Sequence, residues 1–321
     1  MNSVQRVHTA LRNQQPDRVP VLEFVIDDRV GKAAVPGCRD VFDCMDRLDM
    51  DGVGCGPVYE HVQEHGGGRY TDEWGVTYGS GPEMLDHPDR GPIETIEDAA
   101  AYTPPDPHAP HRLTKLRDLV ERYKGKRAIC FHHRAAFMWS AYLCGMDNLL
   151  ADMLVNREKA EIVMDKVLEA NRELVRNAIR AGAEVIFLGD DYAHNLGPMM
   201  SPALFKELIL PRLATMVATV HEEGALCVKH TDGNIYSLLE MIVGAGPDCI
   251  NPIEPAAGME LKRVKELVGD RVSIAGNIDC GQLLPYGSVE DVREAVRQAI
   301  ADAAPGGGVH PLIFEQHPLD L

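Results

Sequence analysis

Short apolar runs recur along the second half of the chain, and each gives way to residues that can do chemistry. Ala183–Leu188 leads into Gly189-Asp190-Asp191-Tyr192, and Ala225–Val228 into Lys229-His230-Thr231-Asp232-Gly233-Asn234. Cys249–Ile253 carries Asn251 and ends at Glu254. Val272–Ala275 leads into Gly276-Asn277-Ile278-Asp279-Cys280. Between these runs lie segments of helical pattern: Arg157–Ala181, the stretch from Ser201-Pro202, Ile235–Val243, Leu261–Leu267 and Val289–Ala301. Strands that alternate with helices predict a parallel sheet, because each helix carries the chain back to start the next strand in the same direction. The expected fold class is therefore α/β, a single (β/α)₈ barrel with its polar groups at the C-terminal ends of the strands.

The earlier part of the chain is less regular. Val4–Gln14 reads as a short basic amphipathic helix stopped by Gln15-Pro16-Asp17-Arg18, and Val19–Val25 as the first strand. Val41–Leu48 reads as a helix and Gly52–Gly56 as a short strand or turn. Tyr70–Gly79 alternates like a β-hairpin. Pro104-Pro105-Asp106-Pro107 must be extended, since each proline biases its predecessor away from helix. From His111 onward the units become regular: a helix at Leu113–Tyr123, a strand at Arg127–His133, and helices at Met146–Leu154 and Arg157–Ala181. Asn156 is the expected cap of the second of these helices and Gly182 its stop. Pro211 predicts a kink in the helix that begins at Ser201. Residues 1–321 are thus expected to form one domain, with residues 1–110 giving early strands and a cap, and 111–321 the regular units.

Composition narrows the function. The chain has 321 residues, enough to bury a full core, and a net charge of −17. That balance argues against a nucleic-acid surface, which needs clustered Lys and Arg. No apolar stretch of about 18 residues predicts a membrane span, and the N-terminus lacks the apolar core of a signal peptide. The eight cysteines show no CxxC pair and read as reduced thiols of a cytoplasmic protein.

The strand ends supply the candidate chemistry. Asp190, Asp191, His230, Asp232 and Glu254 are the candidate catalytic groups, and Arg134, Tyr192, Asn234 and Asn277 the candidate substrate contacts. Two adjacent carboxylates on an extended chain point opposite ways, so one of Asp190 and Asp191 is expected at the barrel mouth. His230, Asp191 and Glu254 together offer one nitrogen and two oxygens, a set that can bind Zn²⁺ with a position left for substrate. The same residue types also serve metal-free acid–base catalysis. Cys280 reads as a thiolate ligand or an inert buried thiol, Glu207 as a solvated helix residue, and Gly306-Gly307-Gly308 as a loop into the last strand.

Several of these pieces together resemble the uroporphyrinogen decarboxylase superfamily. They are Arg12–Pro20, Asp72-Glu73-Trp74-Gly75-Val76, Pro105-Asp106-Pro107, Gly189-Asp190-Asp191, Ser201-Pro202-Ala203-Leu204-Phe205, His230-Thr231-Asp232-Gly233-Asn234, Pro252-Ile253-Glu254 with Ala257-Gly258-Met259, and Gly276-Asn277-Ile278-Asp279. The resemblance implies a distorted (β/α)₈ barrel with its site in a central funnel. It also implies one of two chemistries. The haem-pathway decarboxylases use an arginine-rich N-terminal segment, and here Glu23–Arg29 does not reproduce it. The corrinoid-linked methyltransferases use zinc and exchange methyl with a cobalamin carrier. Their thiol-methylating members carry His-x-Cys and a later cysteine, where this chain has His230-Thr231-Asp232 and Gly307.

The expectation is a zinc-assisted methyltransferase close to the O-demethylases. It would move a methyl group between a small O- or N-methylated donor and cobalamin on a corrinoid protein partner, and a homodimer is admitted. Metal-free decarboxylation of uroporphyrinogen or a related carboxylate is the alternative, and a corrinoid- or tetrapyrrole-binding protein without turnover a third. The end at Leu321, soon after His317-Pro318, reads as a last barrel element missing or rebuilt.

Overall fold

The computed structural model describes residues 1–23, 26–79 and 87–310. Seven parallel strands form one sheet in chain order: Gly52–Cys55, Ala128–Arg134, Val185–Gly189, Leu226–His230, Cys249–Ile253, Ser273–Gly276 and Val309–His310. Leu22 adds an isolated bridge next to the first of them, where Asp51 donates its N–H to the Val21 carbonyl at 2.7 Å. The expected strand at Val19–Val25 is thus reduced to this bridge, and Phe24 and Val25 lie outside the described residues, as do His317 and Pro318.

The sheet is curled into a barrel. Leu22, Ala128, Cys130, Val185, Phe187, Val228, Cys249 and Ala275 meet in one apolar cluster, although they come from strands that are far apart in the sheet order. A flat sheet could not bring them together. The larger core lies outside the strands, where Ile129, Phe131, Ile186, Leu188, Cys227, Ile250 and Ile274 pack against the helices. Buried strand faces on both sides explain why the strands read as near-continuous apolar runs.

The helix Ser3–Leu11 plugs the N-terminal end of the barrel. An Asn2/Gln5 capping box starts it, and its apolar stripe places Val7 and Leu11 in the interior cluster. Ser273 Oγ donates to the Ala10 carbonyl at 2.6 Å. The buried Asp51 carboxylate accepts from Arg6 at 2.6 Å, Arg18 at 2.9 Å and the Val21 N–H at 2.9 Å. These bonds fix the closed end of the barrel.

At the other end, an antiparallel sheet of His61–Gly66, Arg69–Asp72, Thr77–Gly79 and His87–Arg90 forms a cap. Trp74 stacks on Trp139 with ring centroids 4.5 Å apart, which ties the cap to the helix Phe137–Cys144. Arg112 holds Glu73 through two 2.6 Å bonds and is itself 1% exposed.

Some elements differ from the sequence expectation. Phe137–Cys144 is apolar all round, so it carries no 3.6-residue signal. Pro211 lacks the N–H that would continue the helix, and the preceding turn, Phe205–Ile209, widens to π geometry before Leu210–Glu222. Asn156 precedes Arg157–Ala181 but makes no side-chain cap bond. Cys38 and Cys44 form a disulfide, which corrects the reading of all eight cysteines as reduced thiols. The turn at Asp40, the N-cap of Val41–Arg47, brings their Cα atoms within 5.5 Å, a proximity that the spacing alone does not reveal. Among the described residues no helix is long and apolar enough to cross a membrane.

Burial works to raise the pKa of Glu73, but the bonds from Arg112, the Glu60 N–H and His111 outweigh it and hold the group at about 2. A carboxylate with a depressed pKa stabilises the fold above its ordinary value and loses that contribution as pH falls toward the lowered one. Glu73→Gln should therefore cost about 3 kcal/mol at neutral pH, measured by urea unfolding. The gap from wild type should close as the pH is taken from about 5 toward 2. A gap that stays constant with pH would show that the ion pair does not fasten the cap.

Candidate functional site

Side chains on a strand alternate between faces, and that alternation sorts the polar strand ends. In Leu226–His230, Leu226 and Val228 belong to the interior cluster and Cys227 to the outer core. His230 therefore faces the lumen and Lys229 faces out. Val185 and Phe187 face in, and Ile186 and Leu188 face out. Continuing past Gly189, Asp190 turns toward the helices and Asp191 toward the lumen. By the same count His132 and Arg134 follow Cys130 inward, and Asn251 follows Cys249.

His230 and Asn251 are register partners on adjacent strands. His230 Nδ1 lies 3.0 Å from Asn251 Oδ1, which fixes the ring with Nδ1–H as the donor. Nε2 is thereby aimed at two carboxylates, 3.6 Å from Asp191 Oδ1 and 3.6 Å from Asp232 Oδ2. One ligand atom from each of the three lies within 4.8 Å of the other two. The Asp232 N–H also donates to Asp191 Oδ1 at 3.2 Å. Burial disfavours the charged imidazole, yet Asp232 and Asp191 outweigh it and raise the His230 pKa. One imidazole nitrogen and two carboxylate oxygens suit a divalent cation such as zinc, with coordination positions left for substrate. A hydrogen bond on the far ring nitrogen is the usual support for such a ligand.

The remaining candidates take other places. Asp190 starts the helix Phe137–Cys144: its carboxylate accepts the Ala136 and Phe137 N–H groups at 2.9 Å and that of Met138 at 3.1 Å. Burial raises its pKa against Lys229 and these three bonds. Glu254, expected as a metal ligand, instead accepts the Gly233 N–H at 2.6 Å, and Asp232 takes its place beside His230 and Asp191. Tyr192, expected to meet substrate, is fully buried. Its ring packs edge-on against Phe205 at 5.1 Å, with the Lys229 ammonium 4.3 Å from its centroid. Asn234 Nδ2 donates to the Ala257 carbonyl at 3.0 Å, and Asn277 Nδ2 to the Ile253 carbonyl at 3.0 Å. Both amides brace loops. Glu207 pairs with Arg157 at 2.8 Å on the surface, and Cys280 is half-buried.

Three supporting residues escaped the sequence reading. Asn251 orients His230, and its signal was a polar residue amid an apolar strand. Thr231 is buried and accepts the Tyr192 N–H at 3.0 Å. Lys229 is fully buried and donates to the Asp190 carbonyl at 2.8 Å and to the Leu188 and His230 carbonyls, so it ties two strand ends together. Burial lowers its pKa to about 8. A second gathering of acidic and imidazole groups, Glu60, Glu73 and His111, is already served by Arg112, whose Nη1 lies 2.6 Å from Glu73 and 3.0 Å from His111.

The two aspartates should separate cleanly on substitution. Asp190→Ala leaves three N–H groups without an acceptor and should cost about 2–3 kcal/mol in chemical denaturation. Asp191→Asn should stay within about 1 kcal/mol of wild type. Equal losses would mean that Asp191 is a structural group.

Comparison with known proteins identifies the family and the fold. The family model for uroporphyrinogen decarboxylase (URO-D) matches residues 76–314. A methylated-thiol–coenzyme M methyltransferase of Methanosarcina mazei is 25% identical over 229 residues, 67% of this chain and 58% of its own length. A methylcobamide:CoM methyltransferase of Methanosarcina barkeri is 27% identical over 156 residues, covering 47% of this chain and 44% of its own length. A uroporphyrinogen decarboxylase of Dictyostelium discoideum is 29% identical over 156 residues, 44% of this chain and 38% of its own length. The chain spans about half the length of the curated relatives it matches. A solved methyltransferase from Methanosarcina mazei superposes with a TM-score of 0.76 at 19% identity, covering 98% of this chain and 93% of that one, which shows the barrel fold. The chain belongs to the uroporphyrinogen decarboxylase (URO-D) family.

Proposed function

We propose that this protein is a methyltransferase that moves a methyl group between a small O- or N-methylated donor and the corrinoid of a carrier protein. The observation that carries the reading is His230 Nε2, set by Asn251 and aimed between the Asp191 and Asp232 carboxylates. Methyltransferases acting on coenzyme M are among the relatives, one of them named for methylcobamide. His230, Asp191 and Asp232 would hold zinc, with Asp232 in the role first expected of Glu254. Zinc bound there would act as a Lewis acid on the heteroatom that carries or receives the methyl group.

The chain's own residues prepare that event. Asn251 keeps the imidazole in one tautomer. Glu254 holds the Gly233 N–H, and Asp191 the Asp232 N–H, so the loop that presents Asp232 is braced from two sides. Lys229 anchors the ends of both strands from behind. The site lies at the strands' C-terminal end, where a barrel enzyme admits its substrate.

Decarboxylation of uroporphyrinogen fits less well. Its many carboxylates call for several cations, and among the described residues the lumen-facing strand ends offer Arg134 with two carboxylates and an imidazole. The arginines Arg6, Arg112 and Arg127 each hold acidic groups elsewhere.

Metal analysis of protein purified without added metal tests the proposal. The expected result is about one zinc per chain in wild type, and a several-fold loss in His230→Ala and Asp232→Ala. Demethylation of methyl ethers and amines, followed by the spectrum of added cobalamin, should fall with the zinc content. A metal-free wild type that His230→Ala leaves unchanged in both measurements would remove the proposal.

A further inference from the structure

Among the described residues the lumen holds one charged side chain that the His230 group does not use. Arg134 ends its strand and points inward with Cys130 and His132. Asn171 fixes the backbone there, its Nδ2 donating to the Arg134 carbonyl at 3.2 Å and the Ala135 carbonyl at 2.7 Å. The guanidinium crosses the end of the neighbouring strand. A methyl group placed on Gly189 would lie 3.5 Å from Arg134 Nη1, in direct contact with it. Gly189 is followed by Asp190 and then Asp191, so the cation lies at the edge of the His230 group. Its other side lies over the Tyr142 ring, 5.4 Å from the centroid.

Arg134 differs from the other sheltered arginines of this chain. Arg6, Arg112, Arg122 and Arg127 each hold at least one carboxylate within 3.0 Å. Among the described residues, no carboxylate lies within the 4.0 Å of an ion pair with Arg134, and no group hydrogen-bonds its guanidinium. A guanidinium stays charged under all ordinary conditions. Burial strips its hydration, and among the described residues what offsets the loss is the charge of Tyr142, Asp191 and Asp190 acting at a distance, with no hydrogen bond to the guanidinium. A divalent cation on His230, Asp191 and Asp232 would balance the two carboxylates, leaving Arg134, among the described residues of the lumen, as a charge with no ion-pair partner.

We propose that Arg134 anchors a carboxylate on the methylated donor, so that the site takes methylated carboxylic acids in preference to neutral ethers or amines. This rests on reading the His230 group as the methyl-transfer centre. The planar fork of a guanidinium matches a carboxylate with two parallel hydrogen bonds, which would fix the donor's orientation as well as its presence. The methyl-bearing end would then extend from Arg134 toward His230. Tyr142 would shield the ion pair from water on one side.

Calorimetry with two matched pairs tests this: methoxyacetate against methoxyacetamide, and 3-methoxybenzoate against 3-methoxybenzamide. Each amide keeps the shape of its acid and removes the charge. In wild type at least one acid should bind about tenfold or more tighter than its amide. The ratio should fall to near one in Arg134→Gln and in Arg134→Met. Among the described residues neither variant breaks a hydrogen bond of the fold, and their circular dichroism and thermal midpoints should match wild type. The preference should weaken yet survive in chelator-treated protein and in His230→Ala, where Asp191 and Asp232 lose the cation that balances them. A preference intact in protein that never binds zinc would sink the metal-centre reading alone. The anchor itself is overturned by equal affinity for acid and amide, by no acid binding up to about 10 mM, or by a preference that survives Arg134→Gln.

Discussion

The parallel register between neighbouring strands is the constraint on which the site depends. His230 sits opposite Asn251, and Lys229 opposite Leu188 on the other side. Because strand side chains alternate with period two, a slip of one residue would turn His230 into the helix layer and Lys229 into the lumen. A slip of one residue in Val185–Gly189 would likewise exchange Asp191 for Asp190. The register is protected by burial on both faces. Val228 must remain in the barrel interior and Cys227 in the outer core, and neither layer has polar surface to accept the exchange.

Stability and chemistry are separated along the barrel axis. The N-terminal end is closed by the Ser3–Leu11 helix and by Asp51, which gathers two arginines and a backbone N–H. The C-terminal end carries the lumen-facing His230, Asp191, Asp232 and Arg134. A closed, ion-paired floor lets the mouth keep carboxylates and an imidazole near one another, an arrangement that costs free energy through charge repulsion and desolvation. The cap adds a second fixed body, clamped by Glu73 and Arg112 and by the stacked Trp74 and Trp139.

Loops that carry functional groups are mobile unless other parts of the structure hold them. Here the loop after His230 is braced at successive residues. Thr231 bonds to the Tyr192 N–H, the Asp232 N–H to Asp191, the Gly233 N–H to Glu254, and Asn234 to the Ala257 carbonyl. Gly233 has a φ of +87°, and a side chain there would meet the Ala193 backbone at 2.5 Å. Glycine is therefore required both by the left-handed turn and by the close approach. Glu254 and Asn234, two of the expected site residues, each hold a backbone group of this loop or its neighbour.

Much of the fold was legible in the order of the residues. Apolar runs separated by helical patterns are local, and burial on both faces makes them unmistakable, so the parallel α/β barrel and the polar strand ends could be read directly. Alternation even required that Asp190 and Asp191 diverge. Which of the two faces the lumen, however, depends on how Val185–Gly189 pairs with its neighbours, and that is a property of the sheet. The pairing of His230 with Asn251, the gathering of Asp232 with His230 and Asp191, the burial of Tyr192 and the Cys38–Cys44 bond share one cause. Each joins residues through loop paths and packing that no local pattern encodes. The sequence by itself determined the types of element and the chemistry available at their ends, because period and polarity are local. Only the tertiary structure decided which of those ends meet, because a meeting is set by register and by the turns between strands.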